Sequence, residues 1–196
     1  MTALPVPPSS AWLQPMTAAE YAALPEDTDH DYELQDGHVI MSAKPIPRHQ
    51  RALVRLMIQL QSQIPEQFEL LPDVDVDMEL APPTQPGTVR VPDLVVVTGK
   101  AYRRVDEEGG FLRAGECVLA VEIHSPGSYR TDQAIKHNEY ADAGIGHYWM
   151  IDLLGGPSLT ACHLGGPFGY VNDAPATGTF TTQAPFPVHV DLTALG

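Results

Sequence analysis

The stretch from Cys117 to Asp152, CVLAVEIHSPGSYRTDQAIKHNEYADAGIGHYWMID, decides the fold. Its first residues, Cys117 to Val121, are a continuous apolar run too short for a buried helix, which is how a strand covered on both faces reads. Glu122 stands at the end of that run. Ile123 and His124 follow, and Ser125-Pro126-Gly127-Ser128 breaks the strand. The next residues predict a helix from about Tyr129 to Ala143, ended by Gly144 in the left-handed conformation that glycine adopts at little cost. His147 to Leu153 reads as a second buried strand.

A carboxylate is almost never buried without a partner. Glu122 is therefore either a paired structural acid or a metal ligand. Two features bear on the choice. A second apolar strand, Leu94 to Val97, is introduced by Val91-Pro92-Asp93 and so carries an acid at its start. If the two strands pair antiparallel, the start of one lies beside the end of the other, and Asp93 meets Glu122. The helix leaving that edge carries Lys136, one of only three lysines in the chain. Two carboxylates and a lysine at a sheet edge suit metal-assisted phosphodiester hydrolysis. Magnesium takes oxygen ligands and keeps several waters, and it activates water and stabilises phosphoryl charge. An ammonium group can stabilise developing negative charge. The Ile123 carbonyl is a third candidate ligand. Strand alternation puts His124 on the face of Glu122 and turns Ile123 away.

The words VPDLVVV, VEIHSPGS, TDQAIKHNEYADAGI and YWMID resemble the Uma family of restriction endonucleases, within the superfamily named for its PD-(D/E)XK motif. The likeness extends upstream to YELQDGHVIMS, with Glu33, and to Pro47-Arg48-His49-Gln50, and spans roughly Tyr32 to Leu153. It implies a restriction-endonuclease-like core, a divalent metal (Mg or Mn) and nuclease chemistry. Asp93, Glu122 and Ile123 would be the metal ligands and Lys136 the charged catalytic group, with Glu33 and His49 in supporting places; His124 is a supporting candidate by strand parity alone. One departure stands out. The superfamily's lysine falls two residues after the Glu, where this chain has His124. Uma-type sequences usually carry an apolar residue there, and their lysine sits on the following helix, as Lys136 does. The bland reading of Lys136 is an exposed helix pair with Asp132, worth a few tenths of a kcal/mol. His124 reads as a hydrogen-bonded edge residue rather than a ligand.

The chain has 196 residues, 43% of them hydrophobic and 18% charged, and is expected to form an α/β fold with a mixed central sheet flanked by helices. A flexible lead-in over residues 1–16 and a single domain over 17–196 are expected. The formal net charge of −14 argues against nucleic-acid binding over the whole surface. It leaves room for a local basic patch, and Arg48, Arg51 and Arg55 fall on one face of a helix predicted from Arg48 to Ile64. Such a face is either solvated or a phosphate contact. Leu53, Met57, Leu60 and Ile64 form its apolar stripe. Cys117 and Cys162 read as free core thiols. No run of about eighteen apolar residues occurs and no leader is recognised, so a cytoplasmic location without membrane contact is expected.

Thr17 and Glu20 mark a capping box for a short helix, Ala18 to Ala23. Asp36-Gly37 marks a hairpin between Tyr32–Leu34 and His38–Met41, which leaves Glu33 either solvent-facing or supporting the metal. Asp73 to Leu80 alternates strictly and predicts a half-exposed strand, its acidic face solvated or else a second metal cluster. Gly99 to Glu116 reads as a long polar connection, and Ser158–Leu164 with Thr179–Thr182 as a closing hairpin. A metal-dependent nuclease acting on DNA is the leading function, with a homodimer possible. The alternative is a catalytically inactive module that retains the core and binds nucleic acid or protein.

Overall fold

The computed structural model describes residues 14–25, 31–42, 44–124, 131–166 and 168–196, and within 131–133 the backbone alone. Most of the expected lead-in, the strand break at Ser125–Ser128, the helix start at Tyr129 and the side chain of Asp132 lie outside the described residues. Helix α1 (Ala18–Ala22) begins with the expected capping box: Thr17 Oγ1 accepts the Glu20 N–H, and the Glu20 carboxylate accepts the Thr17 N–H. Strands β1 (Tyr32–Gln35) and β2 (His38–Met41) turn through Asp36 at φ 48° and Gly37 at φ 79°. A two-residue turn that matches strand twist needs positive φ at both positions, which Asp-Gly supplies. Then come α2 (Pro47–Gln61), β3 (Phe68–Pro72), β4 (Val76–Asp77), β5 (Val89–Arg90), β6 (Leu94–Thr98), α3 (Gly99–Glu108), β7 (Leu112–Arg113) and β8 (Cys117–His124). The chain continues with α4 (Thr131–Asp142), β9 (His147–Asp152), β10 (Ser158–Leu164), β11 (Tyr170–Asn172), β12 (Ala176–Thr177), β13 (Thr179–Thr182) and β14 (Val188–Asp191).

Two mixed sheets result. The larger runs β11-β10-β9-β8-β6-β3, with β12 also on β10, and the smaller runs β2-β1-β5-β4-β7. Strand β6 pairs antiparallel with β8, Leu94 against Val121, while β8 and β9 are parallel and joined through α4. Parallel neighbours need such a crossover because no tight turn can connect them. The link Val91-Pro92-Asp93 carries the chain from β5 in the small sheet to β6 in the large one. Leu34 of β1 faces Val89 of β5, so the antiparallel register sets Glu33 beside Arg90.

Strand alternation sorts the large sheet's side chains onto two faces. Leu94, Val96, Leu119, Val121, Ile123, Trp149 and Ile151 pack against Ala52, Leu53, Leu56 and Leu60 of α2, together with Phe180, Val188 and Val190 of the C-terminal hairpin β13–β14. Val95, Val97, Ala120 and Tyr148 face the other way, against Tyr140 of α4, Ile145 beyond it and Ala101 of α3. Two glutamines tie α2 to β14. Gln59 exchanges amide hydrogen bonds with the Asp191 main chain (2.7 and 3.1 Å), and Gln63 does the same with His189 (both 2.8 Å). Each primary amide thus imitates a neighbouring strand and satisfies the backbone groups of β14.

Three expectations need correction. Asp73–Leu80 is not one strand: Asp73 (φ 49°) and Glu79 (φ 51°) take left-handed backbone, leaving only Val76–Asp77 extended in the sheet. The alternation survives as burial of Val76 and Met78. Gly99–Glu116 is not an open connection but holds α3, capped by Thr98 Oγ1 accepting the Ala101 N–H at 3.2 Å, then β7 and a 3-10 turn. Its apolar stripe is too thin to read, because Ala101 and Val105 alone turn inward. Finally, Ser158–Leu164 and Thr179–Thr182 do not pair with each other: β10 joins β9, β11 and β12, and β13 joins β14. Among the described residues no helix is long and apolar enough to cross a membrane. Cys117 and Cys162 are free and buried.

Helix α4 stops where the sequence says it should. Ile145 N–H donates to Tyr140 O and Gly144 N–H to Ala141 O, both at 3.0 Å, around Gly144 at φ 80°. That is the paired carbonyl capture of a glycine-ended helix. A Cβ at Gly144 would meet nothing within 4 Å, so only backbone strain opposes it. Gly144→Ala is therefore expected to cost about 1–2 kcal/mol, read as a lower urea midpoint at unchanged slope. An unchanged midpoint would show that the helix end does not depend on this conformation.

Candidate active site

The antiparallel pairing of β6 on β8 does bring Asp93 and Glu122 together, since Leu94 faces Val121 and the residues one step beyond lie opposite each other. Asp93 sits just before its strand and is reached from two sides. Its Oδ2 accepts the Ile123 N–H, and its Oδ1 lies 3.1 Å from Nε2 of His49 on α2. Glu122 is on the opposite side of the sheet from α2. Its Oε1 accepts from Lys136 Nζ at 3.1 Å and from the Tyr140 hydroxyl at 2.7 Å, both donors coming from α4. Lys136 is 7% exposed, which rules out the reading of it as a helix-surface pair.

Glu33 is 3% exposed, so it is no solvent-facing strand residue. Its Oε1 lies 3.0 Å from Lys136 Nζ and accepts the Val91 N–H at 3.1 Å. Its Oε2 accepts from Arg90 Nη1 at 2.8 Å. Arg90 is fully buried and also grips Glu139 of α4 in bidentate fashion, through Nε (2.7 Å) and Nη2 (2.8 Å). The ion chain Glu139–Arg90–Glu33–Lys136–Glu122 therefore ties α4 at two points to the small sheet and ends in the large sheet.

The charges act on one another in definite directions. Burial pushes the Glu122 carboxyl up to about 8; Lys136 opposes this, while Asp93 and Glu33 add to it. For Glu33, burial is outweighed by Lys136 and Arg90, and the carboxyl is held below its ordinary value. Burial also works against a charged His49, but the hydrogen bond to Asp93 and the charges of Asp93, Asp73 and Glu122 prevail and raise it. Asp73 is raised by burial and then by Asp93. At Glu122 and Asp73 burial is the first cause, and the neighbouring carboxylates add to it.

Other predicted residues fall as follows. His124 is buried at the end of β8, opposite Asp152 of β9. Arg48 and Arg51 are exposed on α2, next to His49. Arg55 on the same face is already engaged, its Nη1 donating to the Ala194 and Gly196 main-chain oxygens at 2.6 and 2.8 Å. Sequence reasoning missed Arg90, Glu139 and Tyr140, and it read Asp73 only as part of an acidic strand face, solvated or else a second metal cluster, rather than beside Asp93. A signal existed for two of them. Lys136, Glu139 and Tyr140 stand at i, i+3 and i+4, the spacing of one helix face.

A mixed sheet with acids at two adjacent strand ends, crossed by a helix that delivers a lysine, is the layout of a restriction-endonuclease-like fold. The same fold is found in a protein of Anabaena variabilis ATCC 29413 described as "a putative nuclease belonging to DUF820": TM-score 0.68, 19% identity, with 92% of this chain and 97% of that chain covered. The family model described as "Uma2: Putative restriction endonuclease" matches residues 18–191, and the chain belongs to that family. No curated protein matches it.

The raised Glu122 has a consequence for stability without metal. A folded-state pKa above the unfolded value of 4.5 stabilises the protein fully below that value, and the stabilisation is lost as pH rises through about 8. His49 contributes with the same sign. In chelator, the thermal midpoint should fall over this range, and Glu122→Gln should flatten the decline. Parallel wild-type and Glu122→Gln profiles would show that Glu122 is not the group responsible.

Proposed function

We propose that the protein is a divalent-metal-dependent nuclease that hydrolyses phosphodiester bonds in DNA. The observation that carries this reading is the convergence of Asp93 and Glu122 at neighbouring strand ends with Lys136 Nζ 3.1 Å from Glu122 Oε1. Among the described residues no set of three or more His, Cys, Asp or Glu side chains is disposed around a metal position. The donors nevertheless fit a hard cation in kind and in charge. Asp93, Glu122 and the Ile123 carbonyl offer oxygen only, the ligand type a hard cation takes, and a cation beside Glu122 would favour the ionised carboxylate that burial disfavours. Magnesium or manganese held there supplies Lewis-acid activation of water and neutralises phosphoryl charge.

The chain's own groups do the rest. His49 and the Ile123 N–H orient Asp93, and Tyr140 orients Glu122. Lys136 presents a fixed ammonium beside the carboxylate, where a donor aimed at developing phosphoryl charge is most effective. Arg48 and Arg51 flank His49 on the exposed side of α2 and supply local positive charge for phosphates on an otherwise acidic surface. The net charge of −14 favours a second reading, an inactive binding module. Metal titration separates the two.

Manganese should raise the thermal midpoint of the wild type and of Lys136→Ala, but not of Asp93→Ala or Glu122→Ala. Single-turnover cleavage by Lys136→Ala should fall about 100- to 1,000-fold, the size of one charged donor's contribution. A wild type that neither binds manganese nor cleaves single-stranded, duplex or branched DNA would leave the binding-module reading standing.

Replacing Arg48 and Arg51 together by Gln should reduce the slope of log affinity against log salt on duplex DNA by roughly 1.8, at roughly 0.9 per phosphate contact. An unchanged slope would return both arginines to the solvated surface. Arg55 is left out of this test because its guanidinium holds the C-terminal segment.

A further inference from the structure

Arg90 has no part in the chemistry proposed above, yet it is completely buried and each of its guanidinium nitrogens is engaged. Burying a charge is costly unless its partners are well placed. Here the partners come from two different elements, Glu33 on β1 and Glu139 on α4. Both elements bear on one atom, Lys136 Nζ. We propose that Arg90 is the positioning residue of the site, a single guanidinium that fixes Lys136 on Glu122 from two directions.

The first direction is through the helix. Glu139 lies three residues beyond Lys136, on the same side of α4, and its two oxygens are gripped by Nε and Nη2 of Arg90. A bidentate grip on a planar fork fixes both the rotation and the height of α4 over the sheet. The second direction is through Glu33. Arg90 holds its Oε2, which aims Oε1 at Lys136 and the Val91 N–H. The shared ammonium then lies 3.0 Å from Glu33 and 3.1 Å from Glu122. Arg90 also balances charge. Without it, Glu33 and Glu139 become uncompensated anions beside Lys136 and compete with Glu122 for the ammonium. The catalytic consequence rests on the nuclease reading, whereas the placement of Lys136 does not.

The chain suits a direct measurement, because Lys44 and Lys100 are exposed and only Lys136 of its three lysines is buried. In the metal-free protein, a nitrogen-15 spectrum of the lysine ammonium groups should show one slowly exchanging signal, identified by its loss in Lys136→Gln. Arg90→Gln and Glu139→Gln should each broaden or abolish that signal. In single-turnover cleavage with manganese they should lower the rate at saturating DNA about 100-fold, the scale of an ångström-sized misplacement, while the DNA concentration at half-saturation stays unchanged. The double variant, with one competing anion removed, should recover part of the rate lost in Arg90→Gln. A Lys136 signal that persists in both single variants, or a loss confined to half-saturation, would overturn the proposal. If Arg90→Gln fails to fold, Glu139→Gln decides by the same readings. A wild type without cleavage sinks the nuclease reading, and the ammonium signal alone then decides whether Arg90 positions Lys136.

Discussion

The antiparallel register of β6 on β8 is the constraint from which the site follows. With Leu94 opposite Val121, Asp93 and Glu122 have to share the same end of the sheet. A slip of one residue would turn every side chain of β6 to the other face, exchanging the residues that meet α2 for those that meet α4. Because both faces are packed, such a slip would bury the wrong surface twice. The register is held by Leu94 and Val96 against α2 and by Val95 and Val97 against the other layer. The position of two acids is in this sense a by-product of hydrophobic packing.

Packing alone would leave those acids repelling each other, and the surrounding groups answer that cost. Lys136 and Tyr140 reach Glu122 from α4, and His49 reaches Asp93 from α2, so each carboxylate is served by a different helix on a different face. Arg90 extends the arrangement into the small sheet. Buried ion chains of this kind contribute little net stability, since desolvation offsets much of the attraction. They do penalise every arrangement that leaves one member unpaired. Placement rather than stability is what such a chain supplies at a site whose members come from β1, β5, β8 and α4.

Where sequence reasoning succeeded, local chemistry and the final structure agreed. Asp36-Gly37 signals a tight turn, Thr17 with Glu20 a helix start, and Gly144 a helix end, and each is found in its place. Where it failed, tertiary context overrode a local pattern. Asp73–Leu80 alternates like a strand, but left-handed backbone at Asp73 and Glu79 ends the extended run on both sides. Helix α3 has almost no apolar face to announce it, and Thr98 and the inward turn of Ala101 carry it instead.

The chain's one-dimensional order was enough to determine the strand–helix–strand unit from Cys117 to Asp152, the antiparallel partner that begins after Asp93, and Asp93, Glu122 and Lys136 as candidates for one site. Those features depend on residues close in sequence or on a single strand pairing, and apolar runs and glycines report both. The partners of that site were decided only in three dimensions. Glu33 and Arg90 are 57 positions apart, and Arg90 and Glu139 are 49 apart. No periodicity connects such residues. They meet because the link Val91-Pro92-Asp93 carries the chain between two sheets while α4 crosses over both strand ends. A buried arginine looks in sequence like any surface arginine, since its burial belongs to its neighbours rather than to itself.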